Sequence, residues 1–189
     1  MLRLLITLCL ISLTTLISSC SAGISGVQSY VNTSVGYEFL YPNGWIPVTV
    51  TGGSSNVSVV YRDLVERSEN LSVIVSEVPA DETLEDLGTP LEVGYRFFKS
   101  VNDDRDLGEI RSAARETKFI SAESRQRDDQ TYYILEYEVT LPNDTIRHNV
   151  ASVAVSRGKL FTFNISTFEK RWSNVQDTFE IAARSFTVR

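Results

Sequence analysis

How this chain folds is written most plainly in TIRHNVASVAVSRGKLFTFNIST, Thr145 to Thr167. Two runs rich in β-branched and aromatic residues, Thr145–Arg157 and Lys159–Thr167, meet at the dipeptide Arg157-Gly158. So short a break between two such runs reads as a tight antiparallel hairpin. Within the first run, Val150 and Ala154 fall on one face and Ala151, Val153 and Val155 on the other. Side chains alternate along a strand, so both faces are apolar and the sheet needs a cover on each side.

Working outward, two more candidate strands precede this hairpin, Thr117–Arg127 and Thr131–Leu141. Asp128-Asp129-Gln130 and Pro142-Asn143-Asp144 supply the turns of a four-strand meander. Upstream, NVSVVYRD (Asn56–Asp63) and NLSVIVSEV (Asn70–Val78) read as neighbouring strands joined through the polar segment Leu64–Glu69. YEFLYPNGW (Tyr37–Trp45) alternates Tyr37, Phe39 and Tyr41 on one side before turning.

Two segments have the period of helices. In GTPLEVGYRFFKSV (Gly88–Val101), Thr89 is placed to cap, Pro90 suits the first helical position and Glu92 completes a Thr-x-x-Glu box. Leu87, Leu91, Tyr95 and Phe98 are expected to form its core-facing stripe. Lys170–Arg184 presents Trp172, Val175, Phe179 and Ala182-Ala183 on one face, with Phe186 and Val188 in a short terminal strand. The predicted class is α+β, a central mostly antiparallel sheet flanked by helices on both faces as an α/β/α sandwich.

The N-terminal segment reads as targeting. Arg3 precedes an apolar run, Leu4–Ile17, that is shorter than the roughly 20 residues needed to span a bilayer. Ile17-Ser18-Ser19-Cys20 is similar to a bacterial lipobox, in which the cysteine is lipidated and becomes the new N-terminus. The expected organisation is a signal peptide over 1–19, a lipidated flexible tether over 20–36 and a folded domain over 37–189. The alternative is an ordinary signal peptide with a cysteine near its cleavage point. Two or more acyl chains would make a durable anchor. With only Cys9 and Cys20 in the chain, the domain has no thiol for disulfides, zinc–thiolate sites or nucleophilic catalysis.

A formal net charge of −6 argues against nucleic-acid binding, and against attachment to anionic lipid by charge alone. No phosphate loop, nucleophile elbow or His-Glu-x-x-His pattern is present. Asp103-Asp104-Arg105-Asp106 lacks the spacing of an EF-hand loop and reads as a solvated turn. The single histidine, His148, lies on the strand entering the Arg157-Gly158 turn, and the return strand brings one of residues 167–169 opposite it. In the last of these registers His148 neighbours Glu169, a pair able to hold a borderline divalent ion with water, or simply a His–Glu hydrogen bond. Glu169 suits the N-terminus of the last helix, whereas Lys170 and Arg171 oppose its dipole. Either an external partner or solvation accounts for these two cations.

YEFLYPNGW, VVYRD, NLSVIVSEV, LEDLGTPLEVG and RHNVASVAVSRGKLFTFNISTFEKRW together resemble the PsbP family of photosystem II extrinsic proteins, over roughly Tyr37 to Val188. The lipobox points to its cyanobacterial lipoprotein branch. The resemblance implies a non-enzymatic protein on the lumenal side of the thylakoid membrane, bound to photosystem II core subunits or assembly intermediates. It implies an assembly or stabilising role and a divalent metal (zinc, calcium or manganese) at His148 and Glu169. Partner contacts are expected at Lys170 and Arg171, the lipid at Cys20, and a monomeric state. Plant members reach the photosystem through a long N-terminal segment, and here that segment is short. The alternative function is a stand-alone membrane lipoprotein that binds a metal or small ligand.

Overall fold

The computed structural model describes residues 26–49, 55–103 and 116–189. Cys20, the signal segment and Asp104 to Asp106 lie outside them. Ten strands are described: β1 (Val27–Asn32), β2 (Tyr37–Pro42), β3 (Trp45–Pro47), β4 (Val57–Asp63), β5 (Asn70–Glu77), β6 (Glu116–Arg127), β7 (Gln130–Thr140), β8 (Ile146–Ser156), β9 (Lys159–Phe168) and β10 (Thr187–Val188). The two described helices are α1 (Pro90–Asp103) and α2 (Trp172–Ser185), with a 3-10 turn at Glu169–Arg171.

β3 to β9 form one sheet in the order β3-β4-β5-β9-β8-β7-β6, antiparallel at every junction. The β5–β9 pairing joins the two halves of the chain. The Arg157-Gly158 hairpin closes with both residues at positive φ, 53° and 69°. Such two-residue turns match the right-handed twist of the strands they join.

Each face of the central strands is buried. Val150 and Ala154 pack with Phe161, Phe163 and Ile165 beneath α2, while Ala151, Val153 and Val155 pack with Leu135 and Leu84 on the other side. The cover over the first face is mixed. Beside α2 lies a second sheet in the order β1-β2-β10, which contributes Tyr37 and Phe39 to the core. α1 covers the opposite face near β6 and β7. The chain is thus mostly strand with two helices, and its layer on the α2 side is part sheet.

Two expectations are corrected. The segment taken as a tether to residue 36 contains β1, which pairs with β2 along its whole length, so regular structure begins ahead of Tyr37. In α1 the Thr89 capping box is present: the Thr89 N–H and hydroxyl both donate to Glu92 Oε2 at 2.8 Å. Among its residues with described side-chain positions the buried ones are Val93 and Gly94, however, while Leu91 and Tyr95 are 43% and 56% exposed. Leu87 packs on the core as expected, and the Phe98 side chain lies outside those described. Gly94 explains the rotation. A Cβ there would stand 2.6 Å from Phe119 Cζ, so its absence lets the helix backbone approach the sheet closely.

Candidate metal centre

β7 and β8 lie side by side with Glu138 opposite His148, and Glu136, two residues earlier, shares that face. On its other side His148 is paired with Thr167, so the hairpin register alone does not bring Glu169 opposite. Glu169 arrives by a different route: the chain leaves β9 after Phe168 and tightens into the 3-10 turn, which swings the carboxylate back over the strand end. His148 Nδ1 then stands 2.6 Å from Glu169 Oε2, and Nε2 stands 2.9 Å from Glu136 Oε1. Trp172, the first residue of α2, stacks on the imidazole with ring centroids 3.8 Å apart and planes 10° from parallel. His148 is buried between indole, sheet and carboxylates. A neutral imidazole can donate to one of the two carboxylates, the imidazolium to both.

Potential ligand atoms of Glu138, His148 and Glu169 all lie within 4.8 Å of one another. Nitrogen and oxygen donors at that separation fit a small divalent cation with water completing its shell. Glu136, on the other ring nitrogen, is placed as the outer carboxylate that commonly orients a metal-bound imidazole. Lys118 Nζ lies 3.4 Å from Glu138 Oε2 and partly offsets the acidic cluster.

Arg171 and Lys170 part company. Arg171 Nε donates to Glu69 Oε1 at 2.7 Å and approaches Glu66 Oε2 at 3.7 Å. Glu69 is buried and also accepts from the Thr167 hydroxyl at 3.1 Å. The hydrogen bond and charge of Glu69 push the Arg171 guanidinium further above its ordinary range. Nearby, Arg147 donates to Ser166 Oγ and to the Ser68 carbonyl, and burial lowers its pKa. Lys170 is exposed, with Nζ 5.6 Å from the centroid of the Phe168 ring. It borders a groove of about 450 Å³ lined with Asp144, Thr145, Ile146, Phe168 and Glu169.

The structure therefore unites His148 with Glu169 and places Lys170 and Arg171 on the adjoining turn. Glu136 and Glu138 were absent from the sequence reading. The Pro142-Asn143-Asp144 turn carried the signal, since the hairpin it closes sets Glu138 opposite His148.

These features describe a class: an antiparallel, mostly β domain with a polar cluster at one sheet end, built on a carboxylate-bracketed histidine. The chain belongs to the PsbP family, which it matches over residues 25–188. It is 52% identical to CyanoP of Synechocystis sp., over 92% of this chain and 89% of that protein. Identity to CyanoP of Thermosynechococcus vestitus is 46%, covering 92% and 91% of the respective chains. The solution structure of the Synechocystis protein superposes with a TM-score of 0.72, covering 93% of this chain and 99% of that one. No helix among the described residues is long and apolar enough to cross a membrane.

Proposed function

We propose that this chain is an accessory protein of photosystem II, lipid-anchored through Cys20 on the lumenal side of the thylakoid membrane. It acts without catalysis in assembling or stabilising the oxygen-evolving complex. The observation that carries this reading is the identity to two CyanoP proteins over most of both chains. In this reading the fold is a three-layer sandwich whose central sheet presents one end to the photosystem core.

A lipid at Cys20 would hold the domain at the membrane, where a modest interface suffices because the effective concentration of its partner is high. Lys170, exposed on the 3-10 turn, is a cation available for such an interface. Arg171 supports it from within, since its pairing with Glu69 and Glu66 ties the turn to the β4–β5 loop.

The Glu138–His148–Glu169 cluster is assigned as the site of a divalent metal. Glu138, Glu169 and His148 Nδ1 would hold it, and Glu136 would keep the imidazole oriented through Nε2. One imidazole and two carboxylates suit zinc or manganese better than calcium, which prefers roughly six to eight oxygens. Bound there, the metal would act as a structural staple between β7, β8 and the 3-10 turn.

Isolation of the tagged, lipidated protein from gently solubilised thylakoids tests the partner. Recovery of photosystem II core subunits, reduced by Lys170→Glu, is expected. A clean preparation with no photosystem subunit would overturn the reading in favour of a solitary metal binder.

A further inference from the structure

At one end of the seven-stranded sheet, the start of the described chain and an outward apolar tip come together. The carbonyl of Gly26 accepts the Asn43 N–H at 2.9 Å, and the carbonyl of the adjacent Gly44 accepts the Leu64 N–H at 3.2 Å. Leu64 and Val65 form the tip of the β4–β5 loop and are 59% and 92% exposed. The loop is braced. Asp63 Oδ1 accepts from the N–H groups of Val65 and Glu66 at 2.7 and 2.5 Å, and Arg171 ties Glu66 and Glu69 to the turn before α2. Exposed Arg62 and Arg67 flank the tip.

Single exposed apolar residues are ordinary on protein surfaces. Here two adjacent ones are held outward by hydrogen bonds, between two arginines whose stems can lie along apolar surface while their charges reach headgroups. Position supplies the occupant. This inference rests on the reading of Cys20 as the lipid-bearing residue. Five residues lie between Cys20 and Gly26, so six Cα-to-Cα steps join them. At about 3.5 Å per step, they pin this end of the sheet within ~20 Å of the bilayer. The Asp128-Asp129 turn lies at the opposite end of β7, whose 11 residues extend about 35 Å.

We propose that the Leu64-Val65 tip inserts into the interfacial layer of the membrane beside the lipid anchor, with Arg62 and Arg67 at the headgroups. The second contact fixes the orientation of the domain. It presents the Glu169–Arg171 turn, clasped to the same loop, at the membrane surface where a membrane-embedded partner meets it.

The test uses the full lipidated chain carrying Val65→Cys or Asp129→Cys, each labelled with an environment-sensitive fluorophore. Cys20 is blocked by its lipid. The proteins are bound to phosphatidylcholine vesicles containing a minor fraction of phosphatidylglycerol, and binding is checked by flotation. The label at 65 is expected to shift to the blue, to lie about 5–10 Å into the interface and to lose most of its quenching by aqueous iodide. The label at 129 stays aqueous. Equal quenching at both positions in protein that floats overturns the insertion and leaves the anchor standing. Failure to float overturns the anchor and the insertion with it. Shielding of position 65 only after photosystem II particles are added makes the occupant a protein and overturns the lipid assignment.

Discussion

The imidazole of His148 lies flat against the indole of Trp172, ring centroids 3.8 Å apart, so the candidate metal centre and the first turn of α2 are one packed unit. Trp172 in turn meets Phe179 edge-on at 6.3 Å, and Phe179 meets Trp45 at 5.8 Å. The polar site is thereby joined to the core beneath α2.

This stacking predicts coupling. Trp172→Ala is expected to cost about 3 kcal/mol through lost burial and the space it leaves. With His148→Ala, the double-mutant cycle should return a coupling of about 1 kcal/mol. Denaturant unfolding of the four proteins measures it. Additive losses would mean that the stacked rings contribute no more than their separate burial.

The cations on the 3-10 turn should separate by experiment. Arg171→Ala strands the buried Glu69 carboxylate and is expected to lower stability by about 2 kcal/mol. Lys170→Ala, exposed over the Phe168 ring, should stay within about 0.5 kcal/mol of wild type. Equal losses for the two variants in a chemical denaturation curve would contradict the internal role of Arg171.

A metal at the cluster predicts a thermal shift. At zinc concentrations about a hundredfold above Kd, stabilisation near 2.7 kcal/mol is expected. The shift should vanish in His148→Asn and Glu169→Gln and fall in Glu138→Gln. Glu136→Gln should weaken affinity about 10- to 100-fold while leaving the site in place. Calorimetric titration distinguishes these cases, and an undiminished response in His148→Asn would place the ion elsewhere.

The tyrosines predict an alkaline limit to stability. Burial raises the pKa of Tyr37, Tyr132 and Tyr137, and burial with neighbouring Tyr41 and Tyr30 pushes Tyr61 up to about 12. An unfolded tyrosine ionises near about 10. Above that pH the unfolded chain sheds protons that the folded chain keeps. The stability contributed by Tyr61 is therefore full below about pH 10 and is lost as pH rises through about 12. Phenolate absorbance should show a late-titrating group that becomes normal on unfolding. A single transition near 10 with the fold intact would refute this.

Ser152 should be replaceable at a gain. Its hydroxyl is buried among the described residues without a hydrogen-bond partner, facing the core beneath α2. Ser152→Ala removes a desolvated polar group and is expected to stabilise by about 1 kcal/mol. A thermal midpoint below wild type would show that the hydroxyl has a partner after all.

What could be read along the chain was what local chemistry governs. Alternation marked the four meander strands, paired turn residues marked their ends, and the reciprocal bonds of Thr89 and Glu92 marked the start of α1. The two-faced burial of β8 followed from its own residues. The packing face of the first turns of α1 did not. Periodicity selects the largest apolar residues, whereas contact with Phe119 selected Gly94, the residue with no side chain in the way.

The sequence by itself determined the four meander strands, their hairpins and the presence of a histidine at a strand end, because each depends on neighbours a few residues away. Of its surroundings the sequence offered only Glu169, in a register the structure does not adopt, and tertiary structure decided the rest. Glu136 and Glu138 come from β7, Glu169 swings in on a 3-10 turn that breaks the β9 register, and Trp172 closes the stack from a helix. These groups converge only when separate elements pack on one sheet face. The same holds for the pairing of Arg171 with Glu69, 102 residues earlier in the chain. Contacts across such separations are set by sheet order and burial, which no local pattern of residues encodes.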